Sequence, residues 1–98
     1  MKYFLVEGII KDKSKMNNDL LNQHKKYTSK AMSNGIYFMS SLKSDMSGGL
    51  FIIKMNSIEE LKNYLYNEPF YKAGMQDYII KEFNCHYIND NQNWFKDK

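Results

Sequence analysis

The chain has 98 residues, 43% of them hydrophobic and 26% charged, which is enough for one packed domain and too few for a second hydrophobic core. The net charge of +3 is modest and all cationic residues are lysine, so nucleic-acid binding, which usually exploits arginine, is disfavoured. The longest apolar run is too short to cross a bilayer and no secretory signal pattern accompanies it, so we expect a cytoplasmic protein that binds no membrane.

Cysteine and histidine are too sparse for a metal centre. Cys85 is the single cysteine, which excludes an internal disulfide and agrees with a reducing compartment. His86 beside it offers a second ligand, but no further cluster of cysteine and histidine completes a tetrahedral set. We therefore expect no metal site and no cofactor that depends on one.

The first half of the chain predicts a strand, a helix and a hairpin. Residues 2–10 are largely apolar at both alternating sets of positions, which is typical of a central strand. Residues 20–32 carry an apolar stripe at helical spacing, with His24 in the middle of the inward face. Residues 36–42 and 50–55 then form two strands, joined by a polar loop with paired glycines.

The second half predicts a helix, a corner and a strand. Ser57 and Glu60 match a capping box, and the helix they open should stop near Asn67 because Pro69 disfavours helical backbone at the residue before it. After this corner, residues 78–83 form the fourth strand. The order βαββαβ predicts an α+β, ferredoxin-like fold with a four-stranded antiparallel sheet and both helices on one face.

The other face of the predicted sheet has no cover. Its strands are apolar on both sides and the chain supplies no third helix, so we expect a homodimer that packs sheet to sheet as a dimeric α+β barrel. Residues 1–84 would form the domain. Residues 85–98 would form a polar tail whose aromatic residues are candidates for packing on the partner subunit.

The predicted topology brings a possible acid–base pair to one end of the fold. His24 lies near the end where the Glu68-Pro69 corner and the hairpin loop meet, and a carboxylate on one ring nitrogen leaves the other free to move a proton near neutral pH. Asp77 and Glu7 are further carboxylates expected nearby. The predicted site has His24 and Glu68 as catalytic residues, no metal, and four residues that contact substrate: Tyr27, Asp45, Phe70 and Lys72.

A lysine, either Lys72 or one from residues 11–15, is expected to offset negative charge on a small anionic or enol-type ligand. A second interpretation keeps His24 structural. An imidazole on a helix that packs against a sheet often bonds only a backbone carbonyl or a tyrosine. The protein would then be a non-catalytic, dimeric binding or interaction module.

The stretch Glu68-Pro69-Phe70-Tyr71-Lys72-Ala73-Gly74 resembles the YciI-like (YCII-related) proteins of the dimeric α+β barrel superfamily. Weaker matches are Tyr3-Phe4-Leu5-Val6, His24 with Lys26-Tyr27, and Ser47-Gly48-Gly49-Leu50. The resemblance implies a protein that binds a small molecule and has a histidine–carboxylate dyad at His24 and Glu68. The family usually has aspartate at the position of Glu68. A few similar proteins act as lyase- or dehydrochlorinase-like enzymes on small aromatic or lactone-like compounds without a metal or organic cofactor.

Overall fold

The computed structural model describes residues 1–96, so the last two residues of the predicted tail lie outside the described residues. Four strands and three helices follow one another along the chain. They are β1 (Lys2–Ile10), α1 (Asn18–Ser33), β2 (Tyr37–Leu42), β3 (Gly49–Met55), α2 (Ile58–Tyr66), α3 (Pro69–Lys72) and β4 (Gln76–Phe83), with a short 3-10 turn at Lys13–Lys15 before α1.

Both long helices begin at polar caps. The Asn17 side chain accepts a hydrogen bond from the Leu20 backbone N–H at 2.7 Å, and Ser57 accepts one from the Glu60 N–H at 3.2 Å. Each cap satisfies a backbone donor that the first turn of a helix leaves without a partner. The predicted helices therefore start within two residues of where the sequence placed them.

The Pro69 corner differs from the predicted turn. Asn67 ends α2 as expected, but Pro69 opens a further helical turn, α3, as its first residue. Proline is well suited to that position because its missing N–H would have no partner there and its φ is already helical. Glu68 keeps an extended backbone and becomes the cap of α3, which turns its side chain inward over the first turn.

The sheet has the order β2-β3-β1-β4 and is antiparallel throughout. Phe4 pairs with Ile53 across β1 and β3, and both side chains point toward the helices. These two residues form the core together with Val6 of β1 and with Leu61 and Leu65 of α2. The predicted α+β, ferredoxin-like fold with a four-stranded antiparallel sheet is thus confirmed.

The opposite face of the sheet is not covered by residues 1–96. Leu5 and Ile9 of β1 alternate with the core positions and lie on this open face, as do Ile79 and Phe83 of β4. Ile79 is 43% exposed. The tail beyond β4 leaves its large apolar residues exposed as well: Tyr87, Ile88, Trp94 and Phe95. Among the described residues, no helix has the length and apolar character to cross a membrane.

Candidate functional site

His24 lies on the inner side of α1, where its ring packs flat against the ring of Phe70. The two ring centres are 3.8 Å apart and the planes differ by 2°. The stack fixes the orientation of the imidazole while leaving 23% of the side chain exposed. His24 is therefore held rigidly and is still open to a ligand.

Glu68 contacts the same imidazole from the start of α3. Its Oε1 is hydrogen-bonded to His24 Nδ1, and its Oε2 accepts hydrogen bonds from the backbone N–H groups of Phe70 and Tyr71 at 2.9 and 3.3 Å. The Tyr78 hydroxyl donates a further bond to Oε2 at 3.1 Å. Glu68 is only 2% exposed, so these donors compensate a charge that would be costly to bury alone.

The hydrogen bond between His24 and Glu68 sets the position of the proton on the imidazole. An ionised carboxylate can only accept hydrogen bonds, so Nδ1 must carry the proton it donates. In a neutral ring the other nitrogen, Nε2, then has a free lone pair. This is the arrangement that a general base requires.

A cavity of about 340 Å³ opens beside this pair. That volume is near the lower end for ligand sites and suits a compact molecule. The wall is mostly apolar and comes from the ends of the strands and from α1 and α3. The lining residues are Ile10, Met16, Leu21, His24, Ser40, Ser41, Leu42, Gly48, Gly49, Phe51, Phe70, Met75 and Gln76.

Glycine is required at one point of the cavity wall. Gly48 has a φ of +151°, and a β-carbon at this position would lie 1.9 Å from the carbonyl oxygen of Gly8. Only a residue without a side chain fits such a close approach of two backbones. The paired glycines of the hairpin loop thus let that loop close on β1 and form one side of the cavity.

The predicted substrate-contacting residues separate into two groups. Phe70 lines the cavity, as expected, but Tyr27, Lys72 and Asp45 are not among its lining residues. Tyr27 lies one turn further along α1 and donates its hydroxyl proton to the Tyr64 carbonyl. The Asp45 carboxylate accepts from the N–H and hydroxyl of Ser47 within its own loop, and Lys72 is exposed on α3.

The other charged groups expected near His24 also lie elsewhere. Glu7 faces the open side of the sheet, where Lys43 Nζ bonds its Oε2 at 2.7 Å. Asp77 lies 3.7 Å from Lys11 Nζ. Both carboxylates sit on strand positions that alternate with the helix-facing ones, so their side chains point away from His24. None of the lysines in the part of the chain that the structure describes lines the cavity, so the expected offset of an anionic ligand by Lys72 or by a lysine of residues 11–15 has no support there.

Sequence reasoning missed Gln76 and Tyr78. Both face the helices from β4, and the Gln76 Nε2 donates a hydrogen bond to the Tyr78 hydroxyl at 3.0 Å. Burial, and next the neighbouring Glu68 carboxylate, raise the pKa of Tyr78 above its ordinary range, so its hydroxyl keeps the proton it donates. The alternation of Gln76, Tyr78 and Ile80 along one face was the available signal. It is visible only if β4 begins at Gln76.

The residues described contain no cluster of three His, Cys, Asp or Glu side chains suited to a metal ion. The fold and the site together define a small α+β domain with a histidine–carboxylate pair beside an apolar cavity. Residues 1–84 match the YCII-related domain, and the chain belongs to that family.

One solved structure with the same fold is 5-chloro-2-hydroxyhydroquinone dehydrochlorinase (TftG) from Burkholderia phenoliruptrix, in complex with 2,5-dihydroxybenzoquinone. The two chains share 20% sequence identity with a TM-score of 0.70, over 84% of this chain and 93% of that one. No curated protein matches the sequence significantly. The family and the fold are therefore established by these comparisons.

Proposed function

We propose that the protein is a cofactor-independent enzyme in which His24, oriented by Glu68, moves a proton on a compact small molecule, as in an isomerisation or an elimination. The observation that carries the proposal is the hydrogen bond between Glu68 and His24 Nδ1 at the edge of an apolar cavity. A buried carboxylate on one ring nitrogen both fixes the tautomer and stabilises the imidazolium that forms when the other nitrogen takes a proton.

The proposed chemistry needs one base and a path for the electron pair. Nε2 of His24 would take a proton from a carbon or a hydroxyl oxygen of the ligand, and the released electron pair would form a double bond. In an elimination the leaving group departs with its own electron pair from a saturated carbon adjacent to or conjugated with that double bond, which in a chlorinated hydroxyquinol is the carbon that bears chlorine in the keto tautomer. In an isomerisation the imidazolium returns the proton to another atom of the ligand. Glu68 takes no proton in either reaction and stays hydrogen-bonded to Nδ1 of the ring.

The lining of the cavity indicates the class of ligand. Among residues 1–96, no Lys, Asp or Glu side chain lines it, so a strongly charged ligand would lose its hydration without gaining a counter-charge from them. The flat stack of His24 on Phe70 offers a planar surface at the cavity edge. A neutral ring or enol fits both features. The dehydrochlorinase TftG, which is named for a chlorinated hydroxyhydroquinone, supports this class of substrate.

Variants of the two histidines test the proposal. Two assays are used. An electrode measures chloride release from chlorinated hydroxyquinols, and NMR measures deuterium uptake from D₂O into cyclic enolisable ketones. We expect His24→Asn to lower the rate on an active compound by about 100- to 10,000-fold, the usual contribution of a general base. Glu68→Gln should also lower it, because the amide can present an N–H to Nδ1 and reverse the tautomer.

His86→Asn is the matched control, since it makes the same substitution at an exposed residue of the tail. It should leave the rate unchanged. If His24→Asn folds, binds the same compounds and turns them over as the wild type does, His24 is structural. In that case the non-catalytic binding module is the correct interpretation.

We also propose that two copies pair through the open face of the sheet. The proposed location is the reducing cytoplasm, where Cys85 stays a thiol. The apolar residues on that face support the proposal, since a soluble monomer rarely leaves such a patch uncovered. Ile79→Glu should convert the dimer into a monomer in light scattering. Met32→Glu, a change at a residue of similar exposure on α1, should leave the dimer intact. A monomeric wild type would contradict the proposal.

A further inference from the structure

Gln76 is a buried amide that connects the cavity to the carboxylate of Glu68. It opens β4, is 7% exposed and lines the cavity. Its Nε2 bonds the Tyr78 hydroxyl at 3.0 Å, and that hydroxyl bonds Glu68 Oε2 at 3.1 Å. The three side chains therefore form one continuous chain of hydrogen bonds that ends at His24.

The direction of each bond in this chain follows from Glu68. An ionised carboxylate has no proton to give, so the single hydroxyl proton of Tyr78 must be donated to Glu68. The oxygen of Tyr78 can then only accept from Gln76, which requires the NH₂ end of the amide. The carbonyl end, Oε1, must point the other way.

Gln76 Oε1 lies at the glycine-lined wall of the cavity. A β-carbon placed on Gly8 would be 3.0 Å from this oxygen and 3.3 Å from the backbone nitrogen of Gly49, a lining residue. Within residues 1–96, Oε1 accepts no hydrogen bond, since the hydrogen bond of this amide is made by Nε2. Every fully enclosed side-chain N or O atom among these residues has a hydrogen-bond partner, so an oxygen without a partner is not fully enclosed. The oxygen is therefore accessible and has unused acceptor capacity.

We propose that Gln76 selects the ligand by accepting a hydrogen bond from a ring hydroxyl or enol hydroxyl through Oε1. The proposal rests on the proposed function, because it concerns a ligand of the same cavity. Tyr78 acts as a positioning residue: anchored on Glu68, it holds the amide with its acceptor toward the cavity. A ligand that carries a hydroxyl is thereby favoured over one that offers only acceptors at this position.

A pair of probes isolates this hydrogen bond. 4-Methylphenol carries a hydroxyl, and 4-methylanisole replaces its proton with a methyl group. NMR titration of ¹⁵N-labelled protein gives the dissociation constant of each probe from the signals of the cavity residues. We expect the wild type to bind the phenol about 3- to 10-fold more tightly than the ether, the usual range for one hydrogen bond.

Gln76→Met removes the amide while keeping the length of the side chain, and should bring the ratio of the two dissociation constants close to one. Tyr78→Phe keeps the Gln76 amide but removes the hydroxyl that orients it, so the amide can rotate. The ratio of the two dissociation constants should then fall, but by less than in Gln76→Met. Gln23→Met makes the same change at an exposed residue of α1 and should keep the wild-type ratio. Comparing ratios across variants cancels the larger size of the ether.

Three outcomes would overturn the proposal, and the first of them leaves the proposed function intact. If both probes bind at the cavity and Gln76→Met leaves their ratio unchanged, the role of Gln76 is wrong while the His24 site stands. If neither probe shifts the cavity signals, both proposals fail for ring ligands. Should Gln76→Met not fold, the side-chain amide signals of wild-type Gln76 decide: equal shifts with phenol and ether contradict the proposed bond.

Discussion

Two cavities of the same volume, about 340 Å³, lie at different points along α1. One is bordered by His24 and Gln76, while the other is bordered by Tyr27, Tyr64 and Lys30. Size does not distinguish them, but their buried polar groups do. At the first, an ionisable carboxylate is bonded to an imidazole whose second nitrogen has no hydrogen-bond partner within residues 1–96.

At the second cavity the tyrosine hydroxyls are hydrogen-bonded to neighbouring groups of the protein. Tyr37 and Tyr64 share a hydrogen bond of 2.8 Å, and Tyr27 donates to the Tyr64 carbonyl at 2.6 Å. Burial raises the pKa of Tyr37 to about 12 and that of Tyr64 further still, so both stay neutral at physiological pH. We refer to Tyr27, Tyr37 and Tyr64 as the tyrosine cluster. The comparison teaches that a titratable pair, not an opening, identifies the candidate site.

The largest difference should appear when Glu68 is removed. Glu68→Ala leaves the hydrogen-bond donors of Phe70, Tyr71, Tyr78 and His24 without their acceptor, and we expect a loss of about 3–5 kcal/mol in the free energy of unfolding. Urea denaturation measures it. Glu82→Ala, which removes a half-exposed carboxylate paired with Lys2, should cost about 0–1 kcal/mol. Equal losses would show that the buried pair is no more important than a surface one.

The tyrosine cluster should make the free energy of unfolding fall at alkaline pH. An unfolded tyrosine loses its proton near its ordinary pKa of 10, whereas the folded Tyr37 keeps it up to about 12. The stabilisation from the neutral hydroxyl is therefore complete below pH 10 and is lost as the pH rises toward 12, by about 2 kcal/mol for Tyr37 alone. Urea denaturation at pH 8, 10 and 11.5, with tyrosinate absorbance recorded in parallel, measures this loss. Constant stability across that range would contradict the burial of the cluster.

A smaller effect is expected from one hydroxyl of the cluster. Tyr37→Phe removes the hydrogen bond to Tyr64 and should lower the free energy of unfolding by about 1 kcal/mol without changing any rate that depends on His24. Tyr87→Phe, in the exposed tail, is the control and should change neither quantity. A loss of turnover in Tyr37→Phe as large as that in His24→Asn would indicate that the reaction takes place at the second cavity, and it would contradict the site at His24.

Much of the fold could be predicted because its signals are local. The position of β1 follows from a run that is largely apolar at both alternating sets of positions, and the starts of α1 and α2 follow from the caps at Asn17 and Ser57. Pro69 was harder, since proline both ends helices and starts them. The corner was therefore predicted where the structure has the helix α3.

The candidate site was predicted in part. The sequence placed His24 and Glu68 at the same end of the fold, and the hydrogen bond between them is present. Lys72 and Asp45 were expected beside them on chain position alone, but the direction of a side chain on a loop or short helix does not follow from position. Gln76 was missed because starting β4 two residues late hides the face on which it lies.

The tautomer of His24 is the most direct test of the proposed site. Long-range ¹H–¹⁵N NMR distinguishes the two ring nitrogens of a neutral imidazole, and His86 provides an exposed reference in the same spectrum. We predict that His24 carries its proton on Nδ1, and that Glu68→Gln removes this preference. A His24 ring protonated on Nε2 in the wild-type protein would contradict a base held ready by Glu68.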